Sequence, residues 1–354
     1  MTCAVPLVPL PRVSVVIVTW NGRGLLERFL PSVLATDYPD LEVVVADNAS
    51  TDGTADWLAT MHPEVVVVKH PENWLFAKGN NAALPHATGE VLCLLNNDVE
   101  VPPDWLRPLV AVLTAHSDVA AVQPKLLQHG DRTRFEYAGA SGGFLDAVGY
   151  PFTRGRLFFT LEADHGQYDD ARDVFWASGA CILLRRTAFE EVGRLDERFG
   201  MHMEEIDLCW RLWRAGWRVR VEPRSTVYHL GGASLPQGDP RKTYLNFRNS
   251  LLMLYKNTPP QLWPRVFRRR RALDALARAR GLIGGGGPAE AKAIREAYRD
   301  ARALFPELSR PSDDAEPSPP RYRGLIALDY FFRSRKRFSD LPADRFDDEQ
   351  TPGR

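Results

Sequence analysis

The sequence predicts an α/β fold: a mostly parallel central sheet, Rossmann-like in its alternation, flanked by helices and followed by a helical C-terminal extension. Three observations lead there. Val- and Ile-rich runs recur through residues 13–126, helix-length segments separate them, and the runs are too continuously apolar to leave one face wet. Strands apolar throughout are buried on both sides, as in parallel sheets whose crossover helices cover each face.

The strand runs are VSVVIVTW (13–20), LEVVVAD (41–47), EVVVVKH (64–70), EVLCLLNND (90–98) and VAAVQPKL (119–126). Helix-length segments lie near 24–34, 52–61, 78–87 and 103–115. Such βαβ units cross over right-handedly, and ligands sit beyond the carboxyl ends of the strands. Those ends are TWNG (19–22), DNASTDGT (47–54) and NND (96–98), which should meet in one crevice. Residues 128–172 are glycine-rich and irregular, a candidate lid or acceptor region. FWASGACILLRR (175–186) reads as another strand. EEIDLCWRLWRAGW (204–217) reads as a helix, because Ile206, Trp210, Trp213 and Trp217 share one face at a 3.6-residue period. WRVRVEP and VYHL follow as two short strands.

Beyond residue 240 the character turns helical and arginine-rich. This divides the chain into a domain over 12–240, a helical extension over 241–308, a disordered linker over 309–320 (SRPSDDAEPSPP) and a tail over 321–354. Within the tail, YFFRSRKRF (330–338) reads as an amphipathic appendage.

Acidic and basic residues balance at 45 each, so no global field draws the chain to nucleic acid or membrane. The four cysteines form no CxxC pair, and Cys93 and Cys181 fall in apolar runs, which suits reduced thiols in a cytoplasmic protein. The opening MTCAVPLVPLPRV lacks a basic start and is broken by prolines, which argues against a signal peptide. No apolar run nears the ~20 residues that span a bilayer. Charge concentrates only in WPRVFRRRRALDALARAR (263–280). A solvated helix face is the plain reading of that tract, and contact with anionic headgroups or a diphosphate the functional one. No recognition motif accompanies it, so nucleic acid is not expected.

Asp52 and Thr54 read as a turn and a helix cap. Asp47 is a carboxylate at the crevice, placed to accept hydrogen bonds from a nucleotide base or ribose. At NND, three polar side chains end a buried strand, which costs free energy unless something binds them. A helix cap, a turn and a metal–phosphate ligand each account for them, and Asn96 and Asn97 suit a turn. Mg²⁺ and Mn²⁺ take hard oxygen ligands, usually one or two carboxylates with phosphate oxygens, so Asp98 needs a partner. His229 in VYHLGG is the candidate, although a lone histidine is more often structural. A dinucleotide fold is the rival: Gly22 and Gly24 follow the first strand, but position 27 is Glu where that fold needs glycine.

Together, VSVVIVTWNG, VVVADNASTDGT, ENWLFAKGNNAAL, ATGEVLCLLNNDVEV, the run from Ala177 to Trp217 and VYHLGGAS resemble the family-2 glycosyltransferases of the GT-A fold, most of all the bacterial rhamnosyltransferase-like members. The resemblance spans 12–255. It implies a nucleotide-sugar donor (dTDP-rhamnose is the expected one), Mn²⁺ or Mg²⁺, and inversion at the anomeric carbon. The acceptor would be a glycan or lipid-linked carrier of cell-surface polysaccharide synthesis, reached from the cytoplasm or peripherally at the inner membrane face. Transfer would be non-processive, since the membrane helices and QxxRW motif of processive synthases are missing from the sequence.

By position the resemblance assigns base and ribose to Thr19, Asn21 and Asp47, the metal to Asp98 and His229, and the general base to Glu205. Lys78, Asn80 and Asn81 fall in the donor-lining segment, and Asn96 and Asn97 join the donor site. Three departures stand out: the acid triplet has one carboxylate, Asp98; the usual Glu-Asp pair is Glu204-Glu205; and Leu75 replaces a glycine. The chemistry asks for these types. A cation neutralises a departing diphosphate, and a carboxylate takes the acceptor proton. Glu205 opens a helix whose dipole favours its anion. Helix-start charge explains Asp207 without a substrate. Glu204, Ser178 and Gly179 are candidate sugar or acceptor contacts, as is Trp176, for which core packing serves equally. A nicotinamide dehydrogenase and a non-catalytic nucleotide- or glycan-binding scaffold are the alternatives. Sugar-nucleotide pyrophosphorylases need a glycine-rich, basic loop that TWNGRGLLER does not match.

Overall fold

The computed structural model describes residues 10–231, 239–284, 287–312 and 319–347. The opening segment with Cys3, residues 313–318 of the expected linker and residues 348–354 of the tail lie outside them.

Strands β1 (Val13–Thr19), β2 (Leu41–Asp47), β3 (Val66–Lys69) and β4 (Val91–Leu95) lie side by side in the order β3-β2-β1-β4, all parallel. Helices α1 (Arg23–Leu34), α2 (Thr54–Met61) and α3 (Leu75–Ala83) connect them. The strand's two-residue period sends alternate side chains into two cores. Val13, Val15 and Ile17 pack with Leu30 of α1 and Leu58 of α2, while Val16 packs with Ala77 of α3 on the other side. The continuous apolar runs of β1, β2 and β4 thus follow from burial on both faces, whereas β3, at the sheet edge, leaves Val66 exposed and does not meet that expectation. α3 starts three residues before its expected position, because the N–H groups of Phe76 and Ala77 donate to the Gly200 carbonyl at 3.1 and 2.9 Å.

The other half contains β5 (Val99–Glu100), α4 (Leu106–Ala115), β6 (Val119–Gln128), β12 (Cys181–Arg185) and β13 (Arg218–His229). β12 runs antiparallel between β4 and β6, which are therefore not neighbours. The two short strands expected after residue 217 are one 12-residue strand, β13, paired parallel to β6 with a register shift between Glu222 and Thr226. Its last residues also pair antiparallel with β5, placing His229 opposite Val99. The edge strand β11 (Arg172–Asp173) completes the sheet. Cys93, Cys181 and Cys209 are buried free thiols.

Residues 128–172 are not irregular throughout. They build a second sheet from β7 (Gly143–Leu145), β8 (Pro151–Thr153), β9 (Arg156–Leu157) and β10 (Thr160–Leu161). The tail covers it and is no appendage: Tyr322 is fully buried, bridging to Asp146 and Phe346. Phe338 and Phe346 pack on Phe144 at 5.5 and 5.4 Å between ring centroids. Strands this short are not stable as an isolated sheet, so an aromatic cover is required. Ile326 of α10 (Ile326–Phe332) is also fully buried.

Helices α5 (Arg186–Glu191) and α6 (Glu204–Arg214) follow β12, and α7 (Pro240–Asn257), α8 (Trp263–Gly284) and α9 (Gly287–Leu304) form the helical extension. Leu251, Leu252 and Met253 of α7 belong to the main core, so residue 240 marks no break in packing. Ile206, Trp210 and Trp213 of α6 are buried as expected, while Trp217 lies past the helix and donates its indole N–H to Glu191 at 3.0 Å.

Candidate active site

The ends of β1, β2 and β4 meet as their order requires. Thr19 Oγ1 accepts a 2.8 Å hydrogen bond from the Asn97 amide. Gly22 lies so close that a Cβ there would come within 2.1 Å of Thr19 Oγ1. Asp47 is buried at 3% exposure, and its Oδ1 accepts from the Ser50 N–H at 3.2 Å. Asn21 adopts a left-handed φ of 48°, and its side-chain Oδ1 accepts from the Thr51 N–H at 2.7 Å. Asn21 therefore latches the loop after β1 to the loop after β2. Asp52 accepts from the N–H groups of Arg23 and Thr54, the turn-and-cap role read for it.

One step along β4, the Asn96 N–H donates to the Ala180 carbonyl at 3.0 Å and its side-chain nitrogen lies 3.5 Å from His229 Nε2. Asp98 Oδ1 is 3.0 Å from the same Nε2, and both residues are buried. The β5–β13 pairing is what joins them: Leu230 also donates its N–H to the Asp98 carbonyl at 3.0 Å. Burial works against charge on His229, but the carboxylates of Glu136 and Asp98 outweigh it and push the imidazole up to about 10. Oδ1 and Nε2 are hydrogen-bonded to each other at 3.0 Å, and a carboxylate oxygen and an imidazole nitrogen are donor types that a divalent ion would take once it displaced the Nε2 proton. Among the described residues no cluster of three or more His, Cys, Asp or Glu could hold a metal alone. The pair fits an ion that takes its remaining ligands from phosphate and water.

The acidic pair opens α6 behind an unusual backbone, with His202 and Met203 both left-handed at φ 71° and 73°. Asn249 of α7 holds that loop: its amide nitrogen donates to the carbonyls of Phe199, Met201 and His202 at 2.8–2.9 Å. Nothing in the sequence marks Asn249, one of three asparagines in an ordinary helical run. Glu205 is half-buried, with its Oε2 shielded from water and without a hydrogen bond. Burial raises its carboxyl to about 7, against the N–H bonds of the helix start. Glu204 is buried and, through burial and the charge of Glu205, lies well above the ordinary range. Asp207 differs: Arg211, Lys256 and Asn257 each bond it at 2.8 Å and hold it ionised, the structural role expected.

Both halves meet at the turn before β12. Ala180 binds Asn96, and a Cβ on Gly179 would touch Phe76 at 3.5 Å and the Glu205 Cβ at 3.6 Å. Ser178 is buried, its N–H donating to Gln123. Trp176 is corrected to core: it is 3% exposed, pressed on Gly143, with its indole N–H bonded to the Phe144 carbonyl at 3.1 Å. No ring face remains for a sugar.

α3 splits its expected donor residues. Gly79 faces Val18 and Asn48 on the crevice side. Asn81, about 200° around the helix, faces the other way, bonding Leu195 and Glu197. Lys78 packs its ammonium 4.1 Å over Trp74 and, with Asn81, lines a separate cavity. Asn80 is buried, its amide donating to the Phe76 carbonyl while its oxygen has no partner. Lys78 and Asn81 are thus not gathered with Thr19 and Asn97. Glu136, beside His229, went unread because FEYAGA carries no pattern of its own.

Residues 14–193 match the profile of the family described as Glycosyl transferase family 2. The chain is 32% identical over 231 residues to N-acetylglucosaminyl-diphospho-decaprenol L-rhamnosyltransferase of Mycobacterium tuberculosis, an alignment taking in 61% of this chain and 75% of that protein. It is 32% identical over 249 residues to O-antigen biosynthesis protein RfbC of Myxococcus xanthus, which covers 67% of this chain but 19% of the relative. Among solved structures, mannosyltransferase PcManGT from Pyrobaculum calidifontis, in complex with GDP-Man and Mn²⁺, superposes with a TM-score of 0.51 at 22% identity, over 84% of each chain. That likeness bears on the fold, which is the GT-A α/β arrangement with a curled central sheet.

Proposed function

Because the chain belongs to glycosyl transferase family 2, we propose that it moves one sugar from a nucleotide-sugar donor to a glycan or lipid-linked acceptor, inverting the anomeric carbon. The observation that carries this reading is the Asp98–His229 pair at 3.0 Å, joined through the 178–180 turn to Glu205. Asp98 and His229 would hold Mn²⁺ or Mg²⁺. The bound ion supplies neutralisation of the diphosphate as the glycosidic C–O bond breaks. Thr19, Asp47 and Asn97 line the base and ribose end, with Asn21 shaping their loop. Glu205 accepts the acceptor hydroxyl's proton as its oxygen bonds the anomeric carbon from the opposite face, and the nucleoside diphosphate departs. Gly179, lacking a side chain, leaves space beside Glu205 for the sugar. Glu204, kept neutral, adds no charge that would pull the proton elsewhere.

The relative's name favours an L-rhamnosyl donor and a diphospho-polyprenol acceptor. A membrane-borne acceptor is also supported by α8: Arg265, Arg268, Arg269 and Arg271 are exposed and have no ion pair among the described residues, whereas Arg270 turns inward to Asp274 at 2.9 Å. Phe332 and Phe159 are 76% and 70% exposed. No helix of the described residues is long and apolar enough to cross a membrane. The contact proposed is peripheral, at the cytoplasmic face.

The deciding experiment is a panel of nucleotide sugars with and without Mn²⁺, followed by calorimetry and slow donor hydrolysis. dTDP-rhamnose should bind and turn over only with the ion, and Asp98→Ala should abolish both. A donor that binds and hydrolyses equally well in chelator would defeat the reading.

A further inference from the structure

The metal reading leaves the buried carboxylate beside His229 unused. Glu136 is 4% exposed, and its Oε1 lies 3.3 Å from His229 Nδ1, the ring nitrogen that does not face Asp98. The segment carrying it folds back on β6, where the Glu136 N–H donates to the Leu126 carbonyl at 3.0 Å. β6 in turn pairs with the end of β13 that bears His229. The carboxylate is pinned by a second bond, Oε2 accepting from the Ala138 N–H. Gly231, left-handed at φ 68°, clears its path: a Cβ there would stand 3.1 Å from Oε1.

We propose that Glu136 is a positioning residue, its carboxylate accepting the Nδ1 proton of His229 so that the Nε2 lone pair is presented to the ion. A metal-bound histidine needs its other nitrogen protonated and held, and a carboxylate there fixes the tautomer and strengthens the ligand. Nδ1 has no well-aligned hydrogen bond in the present geometry, and Glu136 is the acceptor that a small turn of the ring would satisfy. Glu136 cannot be a third ligand to the same ion, because Nδ1 and Nε2 point away from opposite edges of one ring.

This inference rests on the metal reading of Asp98 and His229, and one titration separates the two. Mn²⁺ alone is added to the purified chain and the free ion counted by electron paramagnetic resonance. Glu136→Ala should weaken Mn²⁺ binding about 10–100-fold. Glu136→Gln, which keeps the shape and the bond to Ala138 while losing the charge, should weaken it several-fold with an unchanged melting temperature. If both variants bind Mn²⁺ as tightly as the unaltered chain while Asp98→Ala does not, the inference falls and the metal site stands. If Asp98→Ala binds as tightly too, both fall. A melting temperature that drops in Glu136→Ala with Mn²⁺ affinity unmoved means a merely structural carboxylate, and also overturns it.

Discussion

Glu205 stands between two opposed influences. The first turn of α6 favours its anion, burial favours the acid, and burial wins by moving the carboxyl from 4.5 to about 7. A base with that value is charged only above it, so transfer should speed up as pH rises through about 7 and level off beyond. Glu205→Gln should lower kcat by about 10²–10⁴ and remove that limb, with donor binding by calorimetry intact. An unchanged kcat would hand the role to another group. For stability the sign reverses. The folded chain binds this proton more tightly than the unfolded one, so Glu205 loses stability for the fold as pH climbs from 4.5 to 7. Denaturant melts at both ends of that window should show a smaller loss in Glu205→Gln. Asp98 and Glu205 stand out in the sequence as candidates because their chemistry is out of place, a carboxylate closing an apolar run and another opening a tryptophan-rich helix. Trp176 could not, since an aromatic residue's identity says nothing about which way its ring turns. Glu136 could not either, because its worth depends on a strand end 93 positions further along the chain.

At the scale of elements, the parallel strands β1, β2 and β4 announce themselves because both their faces are buried, while the exposed edge strand β3 shows through its Val run alone. The placement of β12 between β4 and β6 is silent: it depends on pairings such as Leu183 with Cys93 and Val122, which no local pattern encodes. The same holds for β13, whose two halves look like separate strands until the register shift after Glu222 joins them. That strand must keep its register to the end, since a slip of one residue would turn His229 to the opposite face. The loop before α6 is governed from α7. Asn249→Ala would leave the carbonyls of Met201 and His202 without their Asn249 donor, while Phe199 keeps only the Met201 N–H, costing about 1–3 kcal/mol of stability. It should also lower kcat more than it raises the donor KM, because that loop leads into the first turn of α6 that bears Glu205, while the crevice at the ends of β1 and β2 lies apart from it. Urea melts and steady-state kinetics test the two halves of this expectation, and equal changes in kcat and KM would count against it.

Across the whole molecule, formal neutrality hides a local excess. The exposed arginines of α8 should bind vesicles containing anionic lipid, and binding should weaken between low and high salt. Co-sedimentation would measure it: replacing Arg265, Arg268, Arg269 and Arg271 by Gln should release the chain, and equal binding to neutral vesicles would argue against the arginines. The tail is the other long-range feature. Removing residues 321–347 would uncover Phe144 and Phe152, a loss of about 1.5–3 kcal/mol for each. The truncated chain should melt lower and bind a dye for exposed apolar surface, and a melt identical to the full chain would contradict this packing. The dependence also has a direction in time. A ribosome threads out the aromatic rings of the small sheet long before their cover, so the nascent chain carries an unfinished, sticky flank until residues 322–346 emerge, and chaperone demand should peak there and end when that cover docks.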